Sequence, residues 1–136
     1  MIKGGIEFGS HTLNHANLGS SAVDLERELI ESKRLIEEKL GISIWAVSYP
    51  FGLVTDFNKR VKELSLRAGY SCGLSAMNGV NDASSDIFEL RRIGIEASDD
   101  MFTFRAKLNG ALDLLEFKDR PFFNKLLRKA NRVLGV

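Results

Sequence analysis

Few residues in this chain have strongly directed chemistry. Of 136 residues only two are histidines, His11 and His15, and cysteine and tryptophan occur once each. A lone cysteine, Cys72, cannot form an internal disulfide, so no covalent staple holds the fold. Only two prolines, Pro50 and Pro121, interrupt the backbone. No apolar run approaches the ~18–20 residues that a membrane-spanning helix needs. Charge is balanced at a net +1, which gives no field to recruit nucleic acid. No secretory leader pattern is visible after Met1, and the chain as written reads as cytoplasmic. What remains is ordinary globular material, 44% hydrophobic and 27% charged, of a length that can bury one core.

The apolar pattern alternates between two periods. Ile6-Glu7-Phe8 reads as a short strand ended by Gly9-Ser10. Ser21 and Asp24 read as a capping pair for a helix over 22–40, with Leu25, Leu29, Ile36 and Leu40 at helical spacing and Gly41 as its stop. The run "ISIWAVSYP" over 42–50 is rich in β-branched and aromatic residues and reads as a strand with Trp45 in the core. Phe57, Val61, Leu64 and Ala68 define the buried face of a second helix, stopped by Gly69. "YSCGL" reads as a third strand, with Cys72 as a buried, inert thiol, and "FELRRIGI" as a fourth. Ser98 is expected to cap a third helix, with Asp99 and Asp100 in its first turn and Phe104, Leu108, Leu112 and Leu115 on one face. Pro121 opens a last helix reaching about Leu134. Strands alternating with helices predict an α/β fold with a parallel sheet covered by helices.

The two histidines stand four residues apart, just past the carboxyl end of the first expected strand. Residues at i and i+4 share one face of a helical turn, so both imidazoles can meet one ion. In α/β folds that edge of the sheet carries the active site. Neutral imidazole suits zinc, cobalt, nickel or iron. The spacing alone also fits two exposed loop histidines.

The longer stretch "GIEFGSHTLNHANL" resembles a motif of the NodB-type polysaccharide deacetylases, carbohydrate esterase family four. Gly5, Glu7, Gly9, Ser10, His11, Thr12 and His15 match it, with Ala16 where proline is usual. One βα unit later "SYPFG", residues 48–52, resembles the next motif, with Ser48 in place of an arginine and Phe51 in place of a tyrosine. Ala68-Gly69-Tyr70 and "LRRIGIE" fit one branch of the family. The resemblance spans residues 4 to about 115. It implies a partial distorted β/α barrel over 1–118, followed by a basic amphipathic helix over 119–136.

The resemblance also implies chemistry: a divalent metal, zinc before cobalt or nickel, on His11 and His15; an oxyanion donor in the Phe51 backbone N–H beside Pro50; and an N-acetylated glycan as substrate. Thr12 and Tyr49 are candidates for substrate contact, packing being the other reading for Tyr49. The family's metal-binding and base aspartates sit in a Thr-Phe-Asp-Asp-Gly motif upstream of the histidines. No such motif occurs here, and no third histidine remains to act as general acid. Arg91 or Arg92 is a candidate for the displaced motif arginine. The chain therefore reads as the C-terminal part of a metal-dependent N-deacetylase, inactive in isolation. The alternative is a catalytically dead relative serving as a carbohydrate-binding or assembly module. An unpaired edge at residues 6–8 predicts a homodimer. The basic residues of 120–136 fit a packed terminal helix, or one lying on an anionic membrane.

Overall fold

The computed structural model describes residues 2–110. The last expected helix and the domain boundary at 118 lie outside them. The sheet is parallel and has two named strands, β1 (Ala46–Ser48) and β2 (Cys72–Leu74), in register Ala46–Cys72, Val47–Gly73, Ser48–Leu74. Single parallel bridges widen it on both sides, Ser10 beside Val47 and Leu74 beside Leu90. Four lanes of chain thus run in one direction, in the spatial order of the sequence.

Both outer lanes are thinner than expected. Residues 6–8 form no strand. A 3-10 turn, Ile2–Gly4, precedes them, and pairing begins only at Ser10, whose N–H bonds Ala46 O at 3.0 Å and whose carbonyl accepts from Ser48 N at 2.9 Å. The fourth lane is likewise a bridge rather than a strand, held by Leu90 N on Gly73 O at 2.9 Å. In both segments the backbone is paired at points, too briefly for a ladder.

The first helical segment starts at residue 25, later than expected. Asp24 alone caps it, accepting from Arg27 N at 3.1 Å, while Ser21 takes no part. The segment passes through a π-turn, Arg27–Glu31, before becoming α1, Ser32–Leu40, which Gly41 ends with a left-handed φ of 66°. Helix α2, Lys59–Arg67, buries Val61 and Leu64 as expected, while Phe57 lies before it; Asn58, which the sequence reading did not single out, caps Val61 N. In α3, Met101–Leu108, the cap is Asp100, on Thr103 N at 2.7 Å, rather than Ser98, and no residue is buried. Asp99 pairs instead with Lys107 at 2.6 Å. Its carboxyl is held below the usual range, first by the Glu96 N–H and then by Lys107.

Strand alternation sorts the sheet into two faces. Val47 and Tyr49 point into the helix-covered core with Leu18, Leu29, Ile44, Phe57, Val61 and Tyr70. Fully burying one such aliphatic side chain contributes about 1.5–3 kcal/mol. Ala46, Ser48 and Leu74 face the other way and line a cavity. Trp45, expected in the core, is 49% exposed, because the segment before β1 lies beside the thin N-terminal lane. Cys72 is buried, and burial raises its thiol pKa, as an inert thiol requires. Among the described residues no helix is long and apolar enough to cross a membrane.

Candidate functional site

The carboxyl ends of the first two lanes bring three sequence signals together. Ser10 pairs with β1, which sets His11 directly above Ser48. His11 Nδ1 lies 2.8 Å from the Ser48 carbonyl. A carbonyl can only accept, so Nδ1 donates, and in the neutral ring the lone pair lies on Nε2. The backbone of β1 thus chooses a tautomer suited to metal ligation.

His15 reaches the same place by a different route. The chain between the histidines is no helical turn. Thr12 and His15 both adopt left-handed backbone, at φ 66° and 56°. Such conformations cost a non-glycine residue about 1–3 kcal/mol each and persist only where surrounding contacts enforce them. The result is that the two imidazoles stand edge to face with centroids 4.8 Å apart, and His15 meets the Phe51 ring at 5.0 Å. Phe51 is the third strained residue, at φ 60°, in the turn that leaves β1. The strained positions of the described chain that are not glycine all belong to this one constellation.

Two buried carboxylates hold these loops. Glu28, 5% exposed, accepts from Leu13 N and Asn14 N at 2.9 Å each and from Asn14 Nδ2 at 2.7 Å. Burial pushes its pKa up, but the bonds from Asn14 and Leu13 outweigh that and the carboxyl ends below its usual range. Asp56, fully buried, accepts from Asn17 Nδ2 at 2.7 Å and Leu53 N at 3.1 Å, which ties the end of the histidine loop to the segment after Phe51. Sequence reading passed over both. The available signal was an acid at position 28, between Leu25 and Leu29 on the apolar stripe of its helix.

Beside His11 lies an open cavity of about 510 Å³ lined by Gly9, Ser10, His11, Ala46, Ser48, Leu74 and Arg92. Arg92 is anchored by Nε on the Ser75 carbonyl at 2.6 Å, whereas Arg91 turns to the Asn78 carbonyl. Tyr49 does not face this space. It is 1% exposed, stacks on Phe57 at 4.7 Å and donates its hydroxyl to Phe88 O at 2.9 Å, so packing is its role. The Thr12 hydroxyl is buried and Thr12 is not among the residues lining the cavity. Pro50 is buried, and Phe51 beside it is 56% exposed. As a metal site the donor set is partial: two preset imidazoles fit a divalent cation, but among the described residues no third His, Cys, Asp or Glu joins them.

The carboxyl edge of the parallel sheet thus carries an imidazole pair and a strained turn. The polysaccharide deacetylase family model matches residues 1–73. The chain therefore belongs to the polysaccharide deacetylase family. Among solved structures it resembles the Streptococcus pyogenes deacetylase PplD in complex with acetate, at 25% identity and TM-score 0.66, covering 74% of this chain and 43% of that one. It also resembles BA0330 of Bacillus anthracis, assigned to the polysaccharide deacetylases, at 26% identity and TM-score 0.68, covering 79% and 34%. BC0361, a polysaccharide deacetylase of Bacillus cereus, shares the fold at 23% identity and TM-score 0.67, with the same coverage. The chain thus spans less than half the length of each of these proteins, as a partial barrel of their type. No curated protein matches it significantly.

Proposed function

We propose that this chain is the C-terminal part of a metal-dependent deacetylase that removes an N-acetyl group from a glycan of the N-acetylglucosamine type. The observation that carries the reading is the His11–Ser48 hydrogen bond of 2.8 Å, which leaves Nε2 free to ligate in a pair of imidazoles beside an open cavity. PplD, a relative by fold and sequence, holds acetate, the product such a reaction releases. A bound zinc ion, or cobalt or nickel in its place, supplies Lewis-acid polarisation and an acidified water.

The residues of this chain have narrower tasks. His11 and His15 hold the ion. The Phe51 N–H, aimed by a turn that Pro50 makes rigid, donates to the carbonyl oxygen as charge develops there. Arg92 offers fixed positive charge on the cavity wall. No described residue stands where a general base would, and losing a base costs about 10²–10⁴ in rate. The 136 residues alone are therefore expected to be nearly inactive. With Ile6 and Trp45 each 49% exposed beside the thin first lane, we also propose that the isolated chain pairs with a second copy there.

The test extends the chain at its amino end with an Asp-Asp-bearing segment of the family. Acetate release from chitin oligomers, lost with a chelator and with His11→Ala, supports the proposal. A folded chimera that retains no zinc and releases no acetate refutes it.

A further inference from the structure

We propose that Glu28 is a positioning residue that sets the two imidazoles in place before any ion arrives. The inference rests on the reading of His11 and His15 as metal ligands. The residues between the histidines include only two peptide N–H groups within reach of a buried acid, those of Leu13 and Asn14, and Glu28 Oε2 takes both at 2.9 Å. Its other oxygen takes the Asn14 side chain at 2.7 Å. These bonds fall in the middle of the loop, flanked by the left-handed residues Thr12 and His15. A loop strained at both ends and free in the middle would relax; one carboxylate on two successive N–H groups prevents that.

The acid in turn has a rigid mount. The π-turn Arg27–Glu31 turns Glu28 toward the loop while Ser32 faces Ser10. Ser32 Oγ lies 2.9 Å from Ser10 Oγ, which accepts from Thr12 N at 3.2 Å, and the Leu29 carbonyl accepts from both Ser32 Oγ and Tyr70 OH. The histidine loop is thus held at Leu13 and Asn14 by Glu28, at Thr12 by Ser10, which Ser32 meets in turn, and at His11 by β1. Glu28 itself does not line the cavity, so it acts through the histidines and not on substrate.

The experiment compares the full chain with Glu28→Gln and Glu28→Ala. Imidazole ¹⁵N spectra without metal report the His11 tautomer and its contact with His15; amide exchange reports Leu13 and Asn14. Cobalt and zinc titrations report affinity. Glu28→Ala should weaken the ion about 10–100-fold, expose both amides and average the His11 tautomers, while α2 and its amides stay protected. Glu28→Gln, which keeps one acceptor oxygen, should fall between, and decides the matter if the alanine variant does not fold. Unchanged tautomer, exchange and affinity in Glu28→Gln would overturn the proposal. If the parent chain binds neither ion better than His11→Ala does, the metal reading fails, and the metal-free spectra alone judge the role of Glu28.

Discussion

Adding one methyl group at Gly73 should disrupt the centre of this sheet. A Cβ there would stand 2.1 Å from the Tyr49 hydroxyl, 2.6 Å from Tyr49 Cζ and 3.0 Å from the Phe88 carbonyl. Neither neighbour can step aside. Tyr49 is fully buried and stacked on Phe57, and its hydroxyl is committed to Phe88 O. Nor can Gly73 retreat, since its N–H bonds Ile87 O at 3.0 Å and its carbonyl takes Leu90 N at 2.9 Å. Overpacking of this kind costs about 1–3 kcal/mol. Forcing the Tyr49 hydroxyl off its carbonyl adds about 0.5–1.5 kcal/mol. Gly73→Ala should therefore cost about 1.5–4.5 kcal/mol, and with a slope of about 2 kcal/mol per molar urea the midpoint should fall by about 1–2 M. In a Tyr49→Leu background the same methyl should cost clearly less, because the groups it meets are gone. A Gly73→Ala midpoint equal to that of the parent, or an equal cost in both backgrounds, would show that this packing argument is wrong.

Three further outcomes are expected. Burial pushes the Tyr49 hydroxyl up to about 12. The unfolded chain then loses that proton first, near its ordinary value of about 10, so stability should fall between pH ~10 and ~12 by about 1.4 kcal/mol per unit; Tyr49→Phe should flatten that limb in alkaline urea titrations. The 136-residue chain should release acetate from chitin oligomers at a rate indistinguishable from its His11→Ala variant, and robust chelator-sensitive turnover by the parent would contradict this. Light scattering should show a mass that rises with concentration and returns to that of one chain in Ile6→Asp; a parent that stays monomeric at all concentrations rejects the dimer.

The legible parts of the sequence were those governed by local chemistry. Gly69 and the Val61–Leu64 spacing mark α2 because stops and periodicity act within a few residues. His11 and His15 were legible through their motif, while their convergence depends on two left-handed residues that no spacing rule contains. Ile6–Phe8 looked like a strand because three alternating residues satisfy the pattern by themselves, yet a strand also needs a partner over its whole length. Trp45 and Tyr49 sit four residues apart in one apolar run, and only the pairing of β1 decides that Tyr49 is buried and Trp45 is not. Glu28 was hidden because its partners are backbone amides 14 and 15 residues away.

The π-turn at Arg27–Glu31 gives this helix a place to hold one residue beyond the regular α-helical count. Each α-helical residue turns the chain by about 100°, and an extra residue in a regular helix would rotate everything beyond it by that angle. Taken up in the π-turn, the extra residue leaves the helix on either side facing nearly as before, with Ser32 under Ser10 and Glu28 against Leu13 and Asn14. When this helix is aligned with that of another protein, a one-residue gap here marks the loss of the bulge and not a turn of the helix face that holds the histidine loop.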